Sequence, residues 1–283
     1  MYSHNQKGAY PVNTQKIFTK NAAYQKFEVL KTNRNKRYKY NEFFVEGVRN
    51  INEAAANGWT IVSFLYTSSK PLSDWAKRML SDVPTEVNYD LAAGLMADIS
   101  SKEDTSELLA IVKMRDDSVS KLVLSDNPLV VLLDRPSNHG NLGTILRSCD
   151  SFGIDGLLIT GHAVDLYDPA VVSASMGSFF KVPAIRIADN NTLFSYLDTL
   201  KARYHGLQVV GTTAHQETSI TQVDFQQPTV LMIGNETDGL NYTLKTHCDL
   251  LATIPMSCRS SASSLNIGCA ATVFLYEALR QRM

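Results

Sequence analysis

The chain has 283 residues, 44% of them hydrophobic, and a formal net charge of −1 at pH 7. This length is sufficient for two domains, and the balanced charge favours no single class of partner. No apolar run reaches the roughly 18 residues of a membrane-spanning helix, and the polar N-terminus is not typical of a secretory signal. Four cysteines without a C-x-x-C pair give no reason to expect disulfides or a metal site, which fits a cytoplasmic protein.

The first 122 residues predict a tail and a small α/β domain. We assign residues 1–15 to a flexible tail and residues 16–122 to the domain. Hydrophobic spacing predicts a helix over 42–58, a strand over 60–67, a helix over 72–82 and a strand over 105–114, where "SELLA" also fits the extension of a helix.

A basic segment dominates the beginning of the chain. Residues 1–40 contain nine lysines and arginines against one acid, and the stretch "KTNRNKRYKY" adds two tyrosines to these charges. Cations can contact phosphates and aromatic rings can stack on unpaired bases, so this stretch is a candidate RNA-binding site. A solvated basic face beside a flexible tail explains the same pattern. The candidate contacts are Arg34, Lys36, Arg37 and Lys39.

Residues 123–283 alternate between strand and helix patterns and form the second predicted domain. Apolar runs predict strands over 129–134, 156–160, 182–187, 207–213, 229–234 and 250–255. Helical spacing predicts helices over 142–152, 168–179, 191–203, 239–248 and 264–282. This alternation is typical of a mostly parallel sheet with helices on both faces. Ligands of such sheets bind beyond the carboxyl ends of the strands, so the segments after the strands form the candidate site.

The segment after the first of these strands is "NHGNLGTILRSCDSFG" (138–153), a polar turn that leads into an amphipathic helix. Asn141 stands where an N-cap belongs, before the apolar stripe. Gly140 and Gly143 match neither the dinucleotide fingerprint nor the Walker loop, so a dinucleotide-dependent oxidoreductase is disfavoured. Arg147 can hold a phosphate over the strand ends, or it can extend from the helix as an ordinary surface arginine.

Two later strand ends carry similar polar loops. "GNETDGL" (234–240) has two glycines, an amide and a carboxylate, which is more than an ordinary turn needs. "IPM" closes the last strand, and a serine-rich loop leads to "SLN" at the head of the last helix, where Ser264 or Asn266 can act as the cap. Three polar loops at one edge of one sheet predict a ligand pocket.

Together these segments resemble the SpoU/TrmH-type RNA ribose 2′-O-methyltransferase family. The N-x-G-x-x-x-R motif of that family stands at 141–147, the G-N-E-x-x-G motif at 234–240, I-P-M at 254–256 and S-L-N at 264–266. The segment 168–183 is similar to the family's region that contains S-M-G. The order and spacing of these motifs over residues 129–283 make the match specific. The N-terminal part resembles the L30e-like substrate-binding domain that many members carry.

The resemblance implies S-adenosylmethionine-dependent methylation of an RNA ribose 2′-hydroxyl, most of all in 23S-type ribosomal RNA. It also implies a homodimer and a deep trefoil knot in residues 123–283, although knots are rare in proteins. By motif position, the cofactor would contact Thr212, Gly234, Asn235, Ile254, Met256 and Leu265. The catalytic residues would be Arg147, Asn141, Glu236, Ser264 and Asn266.

The resemblance also implies a role for each catalytic residue. Arg147 would bind the phosphate beside the target ribose and activate the 2′-hydroxyl electrostatically, because arginine normally stays protonated; a general-base role stays open. Asn141 would orient Arg147 or the ribose, and Glu236 would fix the cofactor loop or the arginine. Ser264 and Asn266 would shape the acceptor side.

Two alternatives and one departure accompany this interpretation. A transfer RNA methyltransferase and a noncatalytic RNA-binding protein that kept the fold would share most of these motifs. The intact set of catalytic residues argues against the noncatalytic alternative. The loop Ser257–Ser263, with Arg259 inside it, is longer than the usual family linker and is expected to change the rim of the cofactor pocket.

Overall fold

The computed structural model describes residues 13–102, 105–187, 189–215 and 218–283. The chain divides into two compact units, which are described separately. The first contains the residues up to Met114 together with Tyr167–Pro169, and the second contains Arg115–Leu166 and Ala170–Met283. Most of the predicted tail lies outside the described residues. Its last residues, Thr14 and Gln15, belong to the first strand.

The first unit contains a five-stranded mixed sheet with helices. Its elements are β1 Thr14–Ile17, α1 Ala22–Thr32, α2 Arg34–Tyr40, β2 Glu42–Glu46, α3 Val48–Ala56, β3 Ile61–Tyr66, α4 Asp74–Asp82, β4 Asn88–Leu91, α5 Ala93–Ile99 and β5 Leu109–Lys113. The strand order is β1-β4-β3-β5-β2. β4 pairs in parallel with β1 and β3, whereas β5 pairs antiparallel with β3 and β2. An apolar core that includes Tyr24, Phe27 and Leu30 of α1 fixes that helix in this unit.

The predicted helix over 42–58 is wrong in its first part. Residues 42–46 form β2, which pairs with β5, and only Val48–Ala56 is helical. Phe43, Phe44 and Val45 are all buried, and a short apolar run of this kind cannot be assigned to strand or helix by spacing alone. Gly47, with φ +103°, separates the two elements. The predicted elements over 60–67, 72–82 and 105–114 are confirmed as β3, α4 and β5.

The elements after residue 128 alternate as predicted. They are β6 Leu129–Asp134, α6 His139–Ser151, β7 Gly156–Thr160, α7 Pro169–Ala174, β8 Ala184–Ile187, α8 Asn190–Arg203, β9 Gln208–Thr212, β10 Thr218–Ser219, β11 Thr229–Ile233, α9 Tyr242–Lys245, β12 Leu250–Thr253 and α10 Ile267–Arg282. All six predicted strands are confirmed. The two-residue strand β10 has no counterpart in the prediction, and the helices predicted over 168–179 and 239–248 are shorter than expected.

The second unit is built on a seven-stranded parallel sheet in the order β10-β12-β9-β11-β6-β7-β8. Every residue of β6, β7 and β11 is buried, which explains why these strands are mostly apolar. Leucines 193, 197 and 200 of α8 pack into one core with alternate residues of the strands, such as Val130 and Leu132. Every helix in the described ranges is too short or too polar to cross a bilayer.

The strand order decides where the candidate loops lie. Strands β12, β9, β11 and β6 are consecutive neighbours, and all run in the same direction. Their carboxyl ends therefore meet at one edge of the sheet, and so do the segments that follow them. This confirms the predicted parallel sheet with helices as the frame of the site. The trefoil knot stays a prediction.

Candidate functional site

A cavity of about 390 Å³ opens at this edge of the sheet. Its walls come from the segments that follow β9, β11 and β12 and from the first turns of α10. All six residues predicted to bind the cofactor line it: Thr212, Gly234, Asn235, Ile254, Met256 and Leu265. Of the predicted catalytic residues, Glu236, Ser264 and Asn266 line it as well. Its size and its mixed polar and apolar walls suit a drug-sized ligand.

The loop 234–240 is folded tightly onto itself. A Cβ on Gly234 would lie 2.1 Å from the carbonyl carbon of Gly239 and from the nitrogen of Leu240, so only glycine fits there. Asn235 and Gly239 exchange two backbone hydrogen bonds of 3.0 Å each. Gly239 has φ +67°, a conformation that favours glycine. The two glycines of the motif thus set the shape of the cavity wall.

Glu236 is the centre of a hydrogen-bond network that joins three loops. Its Oε2 accepts from the Ser137 hydroxyl (2.7 Å) and backbone N–H (3.1 Å), and its Oε1 accepts from Asn141 Nδ2 (3.2 Å). Asn266 Nδ2 donates to Asn141 Oδ1 at 3.1 Å. These four residues, Ser137, Asn141, Glu236 and Asn266, are called the Glu236 network below. They tie the segments after β6, β11 and β12 into one rigid edge.

The Glu236 carboxylate is held in its ionised form. Partial burial raises its pKa, but hydrogen bonds from Ser137 and Asn141 together lower it further, so the net pKa lies below the usual value. An ionised carboxylate only accepts hydrogen bonds. Glu236 is therefore a fixed acceptor that orients the Asn141 amide.

The caps of α6 and α10 correct one prediction and settle another. Asn138, not Asn141, caps α6: its side chain accepts from the N–H of Asn141, which lies in the first turn. The sequence offered two asparagines three residues apart, and the earlier one has the extended backbone of an N-cap. This frees the Asn141 side chain for the Glu236 network. At α10 the cap is Asn266, whose side chain accepts from Gly268.

Arg147 is positioned differently from the other predicted catalytic residues. It lies about one and two-thirds turns beyond Asn141 on α6, and its side chain is exposed. It makes no hydrogen bond or ion pair with any described residue, and it does not line the cavity. Its guanidinium is therefore available to an anionic ligand. The predicted contact in which Asn141 or Glu236 orients Arg147 is absent from the described residues, because both side chains are engaged with each other.

Sequence reasoning missed a second polar cluster beside the cavity. The Asp134 carboxylate, at the end of β6, is only 1% exposed. It accepts two hydrogen bonds from the Arg135 guanidinium and two from Asn241, whose own side chain caps α9. The available signal was an acid–arginine pair at a strand end followed by an asparagine after the glycine loop. Spacing alone did not connect residues more than a hundred positions apart.

The basic segment of the first unit is only partly a surface. Arg34 and Lys39 are exposed and Lys36 is half-buried, consistent with the predicted RNA contacts. Arg37 is 2% exposed, and its guanidinium donates to the carbonyls of Leu30 and Lys31 and to Asp168 Oδ2. The assignment of Arg37 to RNA binding is therefore wrong, because its guanidinium is buried and hydrogen-bonded within the first unit.

The cysteines and other metal-ligating side chains do not cluster. All four cysteines are unpaired, and Cys149 is fully buried. Among the described residues, no group of three or more histidine, cysteine, aspartate or glutamate side chains could hold a metal ion.

Known protein families match both units. The SpoU rRNA Methylase family model matches residues 128–276, and the SpoU L30e-like domain model matches residues 21–110. The chain is 40% identical over 270 residues to a 23S rRNA (uridine(2479)-2′-O)-methyltransferase of Streptomyces viridochromogenes, covering 95% of this chain and 93% of the relative. It is 27% identical to the 23S rRNA (guanosine(2553)-2′-O)-methyltransferase RlmP of Bacillus subtilis, over 85% of this chain and 89% of the relative.

A solved structure is similar to most of this chain. The SpoU methyltransferase AviRb from Streptomyces viridochromogenes, in complex with the cofactor AdoMet, superposes with a TM-score of 0.87 at 41% sequence identity. The superposition covers 93% of this chain and 98% of that structure.

Proposed function

The chain belongs to the SpoU rRNA methylase family, and we propose that it methylates a ribose 2′-hydroxyl of 23S ribosomal RNA with S-adenosylmethionine. One observation carries the proposal: three family motifs, distant in sequence, meet around one cavity through the Glu236 network. The relatives whose names specify 23S rRNA supply the substrate class.

The cavity fits the proposed cofactor. It has the volume of a site for a drug-sized ligand, and Ile233, Ile254 and Leu265 provide apolar walls for an aromatic base. Gly234 and Gly239 both line the cavity and carry no side chain, so the backbone itself forms part of the wall there. When bound, S-adenosylmethionine supplies an activated methyl group.

The residues of the chain supply position and charge. Arg147 is the exposed cation that binds the phosphate beside the target ribose and orients the 2′-hydroxyl for attack. Because arginine stays protonated, it activates the hydroxyl by its field. The ionised Glu236 holds the Asn141 amide, and Asn141 in turn holds Asn266 at the head of α10. Ser264, on the cavity wall, faces the acceptor side.

The same proposal includes a homodimer in the cytoplasm. Val273 and Tyr276 leave an apolar strip of α10 exposed, Tyr276 by 52%. A second copy that covers this strip would complete the site, as the family resemblance implies. The first unit would hold RNA through the exposed Arg34 and Lys39, because the whole chain has almost no net charge to attract it.

The experiment is methyl transfer from labelled S-adenosylmethionine to RNA that lacks its own modifications. Transcribed 23S rRNA, 16S rRNA and total transfer RNA are compared, and the product is mapped by resistance of the methylated position to alkaline cleavage. We expect one protected position in 23S rRNA. Transfer to transfer RNA alone would establish the alternative substrate, and tight RNA binding without transfer to any RNA would establish the noncatalytic alternative.

A further inference from the structure

We propose that Asp134 and Arg135 form a latch that holds the loop 234–240 in its binding shape and thereby sets the affinity for S-adenosylmethionine. This inference rests on the proposed function only in naming that ligand. Arg135 is a positioning residue, since it does not line the cavity.

Arg135 contacts the loop 234–240 at two points. Its backbone carbonyl accepts a 2.7 Å hydrogen bond from Asn235 Nδ2 near the start of the loop. Its guanidinium reaches the carbonyl of Gly239 near the end of the loop at 3.4 Å, with Asp238 Oδ2 at 3.9 Å. Both Asn235 and Gly239 line the cavity, so Arg135 spans the wall from behind.

Asp134 fixes the arginine and the exit of the loop at once. Its two oxygens accept from Arg135 Nε and Nη2, each at 3.0 Å, which is the bidentate geometry of a strong pair. They also accept from the backbone N–H of Asn241 (2.8 Å) and from its side-chain amide (3.1 Å). Burying a carboxylate costs free energy unless hydrogen-bond donors compensate for the lost water. Here four donors bind the buried Asp134 carboxylate.

The backbone is adapted to this arrangement. Arg135 has φ +52°, a left-handed conformation that is costly for an arginine. The neighbouring Gly161 leaves room for the arginine stem, since a Cβ there would lie 2.5 Å from Arg135 Cγ. A glycine at position 135 would adopt the same backbone without steric strain, so local backbone preference does not explain the arginine. Its contacts with the loop do.

The test uses Arg135→Gly, which removes the guanidinium but keeps the carbonyl that holds Asn235. We expect the Kd for S-adenosylmethionine, measured by calorimetry, to rise about tenfold, which is the effect of about one charge-assisted hydrogen bond. The kcat at saturating cofactor should stay within about twofold, because only binding is affected. Arg135→Lys, which keeps the charge without the fork, should give a smaller rise.

The matched control is Arg280→Ala. Arg280 makes the same bidentate contact with Glu277 on α10, with both bonds at 2.8 Å, but does not touch the loop. We expect no change in its cofactor affinity. An unchanged Kd in folded Arg135→Gly, or a lower kcat at an unchanged Kd, would overturn the latch.

A second measurement separates this inference from the proposed function. Hydrogen exchange of the amides in 234–240 is followed without cofactor, and it should accelerate by about tenfold in Arg135→Gly and not in Arg280→Ala. Unchanged exchange overturns the latch even if the methyltransferase activity is established. If the unaltered protein binds no S-adenosylmethionine, the proposed function fails, and faster exchange would still support the latch. If Arg135→Gly does not fold, Arg135→Lys is measured in its place with the same criteria.

Discussion

Functional residues were predicted both at the edge of the seven-stranded sheet and on the basic helix α2. The residues at the sheet edge lie together, and those on α2 do not. At the sheet edge, motif residues from three separate segments converge on one cavity. On α2, four cations adjacent in sequence do not share one surface, because Arg37 is turned into the core. A loop motif at the end of a parallel strand has its location dictated by the sheet. A charge run on a helix is distributed around the helix axis, so its function depends on packing.

Replacing Arg147 is the strongest test of the interpretation that the edge of the seven-stranded sheet carries the catalytic residues. We expect Arg147→Ala to lower kcat about 10²- to 10³-fold, the usual loss for one charge-stabilising donor, with an unchanged Kd for S-adenosylmethionine. Single-turnover methyl transfer and calorimetry measure the two quantities. Arg203→Ala is the control, since Arg203 is also exposed but on α8. Near-normal turnover of Arg147→Ala with normal RNA affinity would remove Arg147 from the mechanism.

The tight fold of the loop 234–240 can be tested with a single methyl group. In Gly234→Ala the new Cβ would strike the backbone of Gly239, so the wall must move. We expect the affinity for S-adenosylmethionine to fall about 100-fold, equivalent to the roughly 3 kcal/mol of a strongly overpacked site. Gly94→Ala, where a Cβ meets nothing within 4 Å, should bind normally. Normal binding by Gly234→Ala would mean that the loop is pliable.

The two arginines of α2 should separate stability from RNA binding. Arg37→Ala removes a buried guanidinium that donates to Asp168 and to two backbone carbonyls, and we expect it to lower the free energy of unfolding by about 3 kcal/mol. Arg34→Ala should change the free energy of unfolding by less than about 0.5 kcal/mol. It should also reduce by about one the slope of the logarithm of the RNA-binding constant against the logarithm of the salt concentration. Urea unfolding and filter binding at several salt concentrations measure both. Equal stability of the two variants would contradict the buried assignment.

The last prediction concerns the stability of the folded protein at low pH, where we expect the smallest change. Because the folded-state pKa of Glu236 is lowered from 4.5, the Glu236 network contributes stability that is fully present above that value. This contribution is lost as the pH falls through the lowered pKa. The stability difference between the unaltered protein and Glu236→Gln should therefore be constant from pH 8 to about pH 6 and shrink toward pH 3. Thermal unfolding across this range measures the stability difference. A difference that grows as the pH falls would contradict the lowered pKa of Glu236.

The parallel sheet of the second unit and most of its candidate site could be predicted from local sequence patterns. Strands β6, β7 and β11 are apolar runs that alternate along the chain with helical patterns, so the alternation identifies them as strands, and the polar loops at their ends follow from strand direction. The elements of the first unit were less predictable, since a buried strand such as β2 has no period that distinguishes it from a helix.

The hydrogen-bond partners of the side chains could not be predicted in this way, because they depend on packing between distant segments. Asn138 rather than Asn141 caps α6, which releases Asn141 to join Glu236 and Asn266. Asp134 binds Asn241 across 107 positions of sequence, and Arg37 is buried although Arg34 and Lys39 of the same helix are exposed. Hydrogen bonds have ranges of about 3 Å, so their partners depend on packing between distant segments that no local pattern records. The motifs predict the edge where the chemistry lies, and packing decides which residues hold it in place.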